Sequence, residues 1–251
     1  TVKERIGKKR IIDMKEQRYF YVPNASEVNE LPDKEAQHAT RVLRLRENDE
    51  IFLLDGRGDI FRAEITDITN KRCQYSIIDK THQDKYWQRD IHIAIAPTKM
   101  MERMEWMIEK ATEIGVDHVS FVDCAYSERH KIRIDRIDNI TIAAMKQSHN
   151  AWKTSVDEII KFKNYINDNS DGECYICHCY NEIEREDLFE NLKHIPCDSK
   201  IHILIGPEGD FSLEEIKYAI SKGYKSVSLG QARLRTETAA LSAVMMCHLS
   251  R

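Results

Sequence analysis

The sequence predicts an α/β protein: a strand-rich front third, then a longer domain in which strands and helices alternate around a mainly parallel sheet. Three observations predict it. From Arg18 to about Lys80, short β-branched or aromatic runs are separated by turn residues. From Ile91 onward, buried-strand runs alternate with stretches of helical period. Near the end, Ile201–Ile205 runs directly into Gly206-Pro-Glu-Gly209 and a capped helix, and Val227-Ser228-Leu229 runs into Gly230.

Composition sets limits on function. Hydrophobic residues at 41% beside charged residues at 32% suit a water-soluble globular chain. No apolar run approaches a membrane span, and no signal-peptide pattern opens the chain. Seven cysteines, odd in number and irregularly spaced, argue for reduced thiols and a cytoplasmic setting. A net charge of −4 excludes a surface that binds nucleic acid everywhere, so any RNA site is a local basic patch.

Residues 1–13 read as a basic extension, and Met14 followed by Arg18-Tyr-Phe20 reads as the start of the ordered chain. Lys8-Lys9-Arg10 suits either phosphate contact or a solvated end. The first domain is expected over 14–84 and the second over 85–251. In the first, strands are predicted at Tyr19–Val22, Glu50–Leu54, Ile60–Ile65 and Gln74–Ile78, with one helix from Lys34 to about Leu45. Asp55-Gly-Arg-Gly58 is a hairpin signal, and several short strands with tight turns suggest a small barrel. Arg18, Arg41, Arg44, Arg46 and Arg57 are the candidate RNA contacts, because a guanidinium pairs with phosphate and stacks on unpaired bases. Pairing with Glu47, Asp49 and Glu50 on a solvated surface is the competing reading.

Thr81–Asp90 reads as a linker. Ile91–Ala96 is then a buried strand, Met100–Ile114 a helix with Met100, Met104, Met107, Ile108 and Ala111 on its apolar stripe, and Gly115 its stop. Val116–Val122, Asp135–Gln147 and Glu173–Tyr180 follow as strand, helix and strand. The methionines read as core packing. Lys99, Arg103 and Lys110 share one helical face, which suits RNA contact and a solvated face equally. Cys174-Tyr-Ile-Cys177 has no second pair to complete four ligands, so no metal is expected. Asn181–Asn191 reads as a solvated loop and short helix.

In the closing third, Gly206 and Gly209 permit positive φ and Pro207 fixes the turn. Ser212 with Glu215 forms a capping box; Leu213, Ile216, Tyr218, Ala219 and Ile220 make the apolar stripe; Gly223 closes the helix. Thr236 or Thr238 is the expected cap of the last helix, which runs to Leu249. Arg233, Arg235 and Glu237 stand between two apolar elements, where charge is either expelled to solvent or kept for chemistry.

Gly206-Pro-Glu-Gly209 together with Leu229-Gly-Gln-Ala-Arg-Leu-Arg-Thr-Glu-Thr-Ala239 resembles the RsmE family of SPOUT-class methyltransferases, which methylate N3 of a uridine in 16S ribosomal RNA. The resemblance extends over about 18–250. It takes in Lys99, Met104-Glu-Trp106, Lys110, Glu113-Ile-Gly115, Ser127-Glu-Arg129, Met145-Lys-Gln-Ser148 and the His38, Val42-Leu-Arg44 pattern. Where most members continue with a small residue and an arginine, His149 and Asn150 stand, so no RNA-binding arginine is carried there.

The resemblance implies a PUA-like β-barrel that helps hold RNA, followed by a SPOUT trefoil knot holding S-adenosyl-L-methionine (SAM). It implies homodimers that bind 16S rRNA or the small ribosomal subunit, without metal or membrane. Ile205, Gly206, Glu208, Gly209, Leu229, Gly230, Leu234 and Thr238 are then the cofactor candidates. Ile205, Leu229 and Leu234 would form apolar walls, and Glu208 would hold the ribose or orient its loop. Arg235 and Arg233 would stabilise the uridine anion, and Glu237 would accept the N3 proton or fix an arginine. Lys99 and Arg129 join the RNA candidates. The alternatives are methylation of another rRNA or tRNA position, and a non-catalytic RNA-binding assembly factor.

Overall fold

In the computed structural model, residues 17–250 are described; the expected 1–13 extension and the start at Met14 lie outside them. Two compact units emerge. One holds the described residues to Asp55 together with Asp59–His82, and the other holds Gly56–Gly58 and the chain from Gln83.

The first unit is a four-stranded sheet in chain order, β1 (Tyr19–Tyr21), β2 (Glu50–Leu54), β3 (Asp59–Ile68) and β4 (Cys73–His82). β1 pairs parallel to β2, and the other pairings are antiparallel. The predicted hairpin stands between β2 and β3. Two register shifts in the β3–β4 ladder bend the sheet around Phe20, Ile51, Leu53, Phe61, Ile65 and Tyr75. The predicted single helix is shorter and irregular: α1 (Asp33–Gln37) passes into a π-helical turn at His38–Val42, where Leu43 N–H donates to His38 O at 3.1 Å. The Thr40 hydroxyl donates to Gln37 O at 3.3 Å, a local bond that competes with the regular helical ladder. Arg44 at φ 53° then turns the chain away.

The second unit follows the order β5 (Asp90–Ile95), α2 (Met101–Ile114), β6 (His118–Asp123), α3 (Ile134–Gln147), β7 (Ser155–Val156), β8 (Ile160–Lys161), α4 (Phe162–Asp168), β9 (Glu173–Cys177), β10 (Glu186–Asp187), α5 (Leu188–Lys193), β11 (Lys200–Ile205), α6 (Leu213–Ser221), β12 (Lys225–Ser228) and α7 (Thr236–Leu249). The sheet order is β10-β12-β9-β11-β5-β6-β7, with β8 added on β6, and these pairings are parallel. This is the α/β class with a mainly parallel sheet that the alternating pattern predicts. Both faces are covered, which is why β11 is a continuous apolar run rather than an alternating one. Ile201, Ile203 and Ile205 pack with Met104, Met107 and Val244 of α2 and α7. Leu204 packs on the other face with Phe162, Ile166, Ile216 and Ala219. Among the described residues no helix is long and apolar enough to cross a membrane.

Some expectations need correction. Met100, Leu213 and Ile220 lie on the exposed edges of their apolar stripes. β9 stops at Cys177 rather than Tyr180, because the His178 ring turns inward and its Nδ1 takes the Tyr180 N–H at 3.3 Å. The 81–90 stretch is no plain linker: Thr81 and His82 belong to β4, and Trp87 and Arg89 are buried. Arg89 donates to Leu192 O at 2.8 Å, Cys247 O at 2.8 Å and Ser250 O at 3.0 Å, so one guanidinium satisfies the carboxyl ends of α5 and α7.

At the amino-terminal edge, three neighbouring strands carry histidine in one row, His202 beside His92 beside His118. The His92 ring lies 5.1 Å from His118 and 4.8 Å from His202. His202 is fully buried; Asp171 sits 3.3 Å from its Nε2 without hydrogen-bond geometry. Burial above all, then the charges of His92 and Lys200, pushes its pKa down to about 4. The unfolded chain takes up this proton near the ordinary histidine value, about 6.5, while the folded chain resists. Stability is therefore complete above that value and falls as pH drops toward 4, by about 1.4 kcal/mol per unit for this one site. Urea unfolding at pH 7 and pH 4.5 should show the loss in the wild type, and a His202→Gln variant should show it reduced by about 2.5 kcal/mol, from the two pH units of that window below about 6.5.

Candidate active site

Parallel pairing sends the carboxyl ends of β12, β9 and β11 to one edge of the sheet as neighbours. The loops that leave them, 229–235, 178–185 and 206–212, surround a cleft of about 880 Å³. The volume is in the range of pockets that enclose a small molecule.

Specific bonds fix the loops. Asp210, at φ 67°, accepts the Cys179 N–H at 2.8 Å and the Phe211 N–H at 2.8 Å, tying the loop after β9 to the loop after β11. The predicted capping box is present: Ser212 Oγ accepts Glu215 N–H, and Glu215 accepts Ser212 N–H. The other oxygen of Glu215 accepts Ala125 N–H at 2.8 Å, anchoring the loop after β6. Glu208 accepts Lys99 N–H at 3.1 Å, so of its two expected roles the loop-orienting one has a visible bond.

The glycines act differently from expectation. Neither Gly206 nor Gly209 has positive φ; the left-handed residue of that turn is Asp210. Their missing side chains make room instead. A Cβ on Gly206 would stand 3.1 Å from the Phe211 ring, and one on Gly209 would stand 3.2 Å from Tyr126 Cβ. Gly230, at φ 107°, is the turn glycine.

The cap of α7 also differs. Arg235 occupies the cap position with no side-chain bond, and Thr236 Oγ1 donates to Gly206 O at 3.1 Å, joining the helix start to the first loop. The 14-residue helix thus brings an amino terminus uncapped by any side chain, with its partial positive charge, to the cleft wall.

Arg233, Arg235 and Glu237 all line the cleft, with Ile205, Gly206, Glu208, Leu229, Gly230 and Leu234. Gly209 and Thr238 do not, and Thr238 is exposed in the first turn of α7. Arg103, Arg185, Asp187, Cys179 and Asp210 line it too. No spacing rule pointed to them as cleft residues, because separate loops and α2 deliver them. Glu237 is 7% exposed, and its ion-pair partner is Arg103 of α2, Nε to Oε1 at 3.8 Å, not Arg233 or Arg235. Lys110, expected on the same face as Arg103, instead pairs with Glu109 and Glu113 at 2.7 and 2.8 Å.

His178 is buried beside the cleft. Burial first, and Arg185 to a lesser degree, lower its pKa, so the ring is neutral near pH 7. With Nδ1 accepting from Tyr180, Nε2 carries the proton and donates to Ser226 Oγ at 2.8 Å. Cys174 and Cys177 fall on opposite faces of the sheet, one packing with Phe162 and Phe211, the other against the α2–α7 side. Two thiols so placed cannot share an ion, and no group of His, Cys, Asp or Glu among the described residues is arranged to hold one.

Of the RNA candidates, Arg18 pairs with Asp49 at 3.7 Å, and Arg41 and Arg44 are exposed in the first unit. In the second unit, exposed Arg57 forms a bridge with Trp152, and Lys99 is exposed and pairs with Glu128 at 3.1 Å. Arg129 is committed inward: it donates to Thr98 O at 3.2 Å and Lys99 O at 2.6 Å, and so shapes the loop after β5.

Residues 85–248 match the family model described as an RNA methyltransferase domain, and 31–78 match an RNA methyltransferase PUA domain. The chain belongs to the RNA methyltransferase family. A crystal structure of a probable rRNA-methyltransferase from Porphyromonas gingivalis is 40% identical, with a TM-score of 0.84 over 92% of this chain and 97% of that one. The Neisseria gonorrhoeae ribosomal RNA small subunit methyltransferase E, solved bound to S-adenosyl methionine, is 27% identical, with a TM-score of 0.78 over 93% and 97%. The enzyme of that name from Rickettsia conorii is 27% identical over 226 residues, 89% of this chain and 90% of the relative. For this methyltransferase the tight turn after β11 is a packing requirement. Gly206→Ala should cost about 1–3 kcal/mol through overlap with Phe211. In a Phe211→Leu background the same change should cost less than half as much, read by urea unfolding of the four proteins.

Proposed function

We propose that this protein transfers a methyl group from S-adenosyl-L-methionine to N3 of a uridine in 16S ribosomal RNA of the small subunit. The observation that carries the reading is the cleft itself: residues of both sequence signatures, 205–208 with Asp210 and 228–237, line one pocket at the carboxyl edge of a parallel sheet within the matched methyltransferase domain. Relatives named ribosomal RNA small subunit methyltransferase E, one of them solved with S-adenosyl methionine bound, support the small-subunit RNA and the cofactor.

The residues present fit such a cofactor. Ile205, Val227, Leu229 and Leu234 give apolar walls for an adenosine, and the backbone groups of 230–234 make no turn or capping bond to other backbone among the described residues, which leaves them for a base edge. Four carboxylates (Asp187, Glu208, Asp210, Glu237) and four guanidinium groups (Arg103, Arg185, Arg233, Arg235) line the cleft, which suits a ligand carrying both charges. Bound there, SAM supplies an electrophilic methyl group. We place Ile205, Gly206, Glu208, Leu229, Gly230 and Leu234 around it, with Gly209 and Thr238 supporting the turn and the helix start from outside.

The uridine N3 is a poor nucleophile until it loses its proton, so the protein must favour the anion. Arg233 and Arg235 are our candidates for holding charge on O2 or O4, and Glu237 for accepting the proton or fixing an arginine. The base must leave its stack to enter the cleft, so a single-stranded or loosely paired site is expected. Arg18, Arg41, Arg44, Arg57, Lys99 and Arg129 remain our proposed RNA-side residues, Arg129 through the loop it shapes. A trefoil knot, a homodimer and a cytoplasmic setting belong to the same reading.

Incubating the protein with labelled SAM and small ribosomal subunits lacking the modification tests this, followed by nucleoside mass analysis. The expected product is 3-methyluridine. A ribose-methylated nucleoside or labelled tRNA moves the target, and absence of label with saturable SAM binding overturns the uridine assignment.

A further inference from the structure

Glu237 and Arg103 meet at the cleft from two different helices, the first turn of α7 and the first turn of α2. The side chain of Glu237 is 9% exposed and that of Arg103 34%. Arg233 and Arg235 are exposed on the 229–235 loop, whereas Arg103 stands on a packed helix. A group on a regular element is held more tightly than one on a loop. At 3.8 Å the pair is an ion pair and too long for a hydrogen bond. The guanidinium therefore keeps its donors: among the described residues it has no other recorded partner, and it lines the cleft. A planar fork of unspent N–H groups is what an anion delocalised over a ring nitrogen and two oxygens requires.

We infer that Arg103 is a catalytic residue that holds the uridine anion, and that Glu237 is the residue that positions it rather than the proton acceptor. The inference rests on the methylation proposed above. In this assignment the N3–H bond breaks, the proton leaves to solvent water, and the electron pair stays on the ring, spread over N3, O2 and O4 beside the guanidinium. Were Glu237 to take the proton, it would become neutral next to Arg103 and strip a half-buried cation of its counter-charge. Leaving Glu237 ionised avoids that cost.

Single-turnover methylation of the RNA substrate, measured across pH with SAM saturating, separates the two roles. S-adenosylhomocysteine binding by calorimetry and thermal melting serve as controls. In the wild type the rate should climb with pH until the bound uridine is ionised. Arg103→Gln should lower the rate by about 10²-fold and move the climb to higher pH, with the Kd for S-adenosylhomocysteine changed less than about threefold. Arg103→Lys, which keeps charge without the fork, should recover part of the loss. Glu237→Gln should lower the rate by about tenfold yet keep the slope of the climb, and the double variant should be no slower than Arg103→Gln alone. A flattened pH profile in Glu237→Gln makes Glu237 the base and overturns the assignment. So does a double variant whose losses multiply, or an Arg103→Gln enzyme that keeps its rate while wild-type protein is active. A wild-type protein that methylates no RNA overturns the functional reading itself, and this assignment with it.

Discussion

The structure depends on β11 pairing in parallel register on both sides, with β5 along Lys200–Ile205 and with β9 along Ile201–Ile205. Parallel strands share a direction, so this pairing decides that the chain after Ile205, after Cys177 and, one strand further, after Ser228 emerges at the same edge. The stretches that form the cleft are far apart in sequence. What brings them together is a ladder of backbone bonds inside a core closed on both faces. A β-branched run such as Ile201–Ile205 pairs in the centre of such a sheet because neither of its faces meets water.

The rigidity of the site follows from how the turn after β11 is packed. Gly206 lies against Phe211, Asp210 bonds the loop after β9, Glu208 bonds the loop after β5, and Thr236 ties α7 to Gly206 O. One short turn is thus held from four directions. A hydroxyl expected to cap its own helix instead joins that helix to the turn, leaving the α7 terminus open toward the cleft. Local structure gives up a cap here, and the site gains fixed donors.

Strands β2, β5 and β11 and helices α2, α3 and α6 were legible because each carries a full period of apolar residues or a cap with its partner at fixed spacing. Ser212 with Glu215 needed a spacing of three and nothing else. The α1 region was not legible, since the Thr40 hydroxyl competes with the helix through a bond that no apolar count registers. The cleft was half legible. The motif residues 205–208 and 229–237 line it, but Gly209 and Thr238 sit in the same motifs and point to no wall of it, because adjacent residues on a turn or helix start face different ways. Arg103 was visible as one basic residue of a helical face. Its opposition to Glu237, one hundred and thirty-four residues on, depends on α2 and α7 packing on the same side of the sheet.

The same pairing logic bears on how a chain of net charge −4 takes an RNA substrate. Several of its cations are paired. Arg18 faces Asp49, Lys99 faces Glu128 and Arg103 faces Glu237. On an exposed surface such a pair is worth about 0–1 kcal/mol, so a phosphate can displace the carboxylate at little cost. A partner of that kind does not disqualify Arg18 or Lys99 from the RNA contact proposed for them. The buried carboxylate of Glu237 differs in kind, because it has no water to return to and cannot be displaced. The Arg18–Asp49 and Lys99–Glu128 pairs are therefore exchangeable and the Arg103–Glu237 pair is not, which under the proposed assignment divides loose contact with an RNA backbone from the holding of one base.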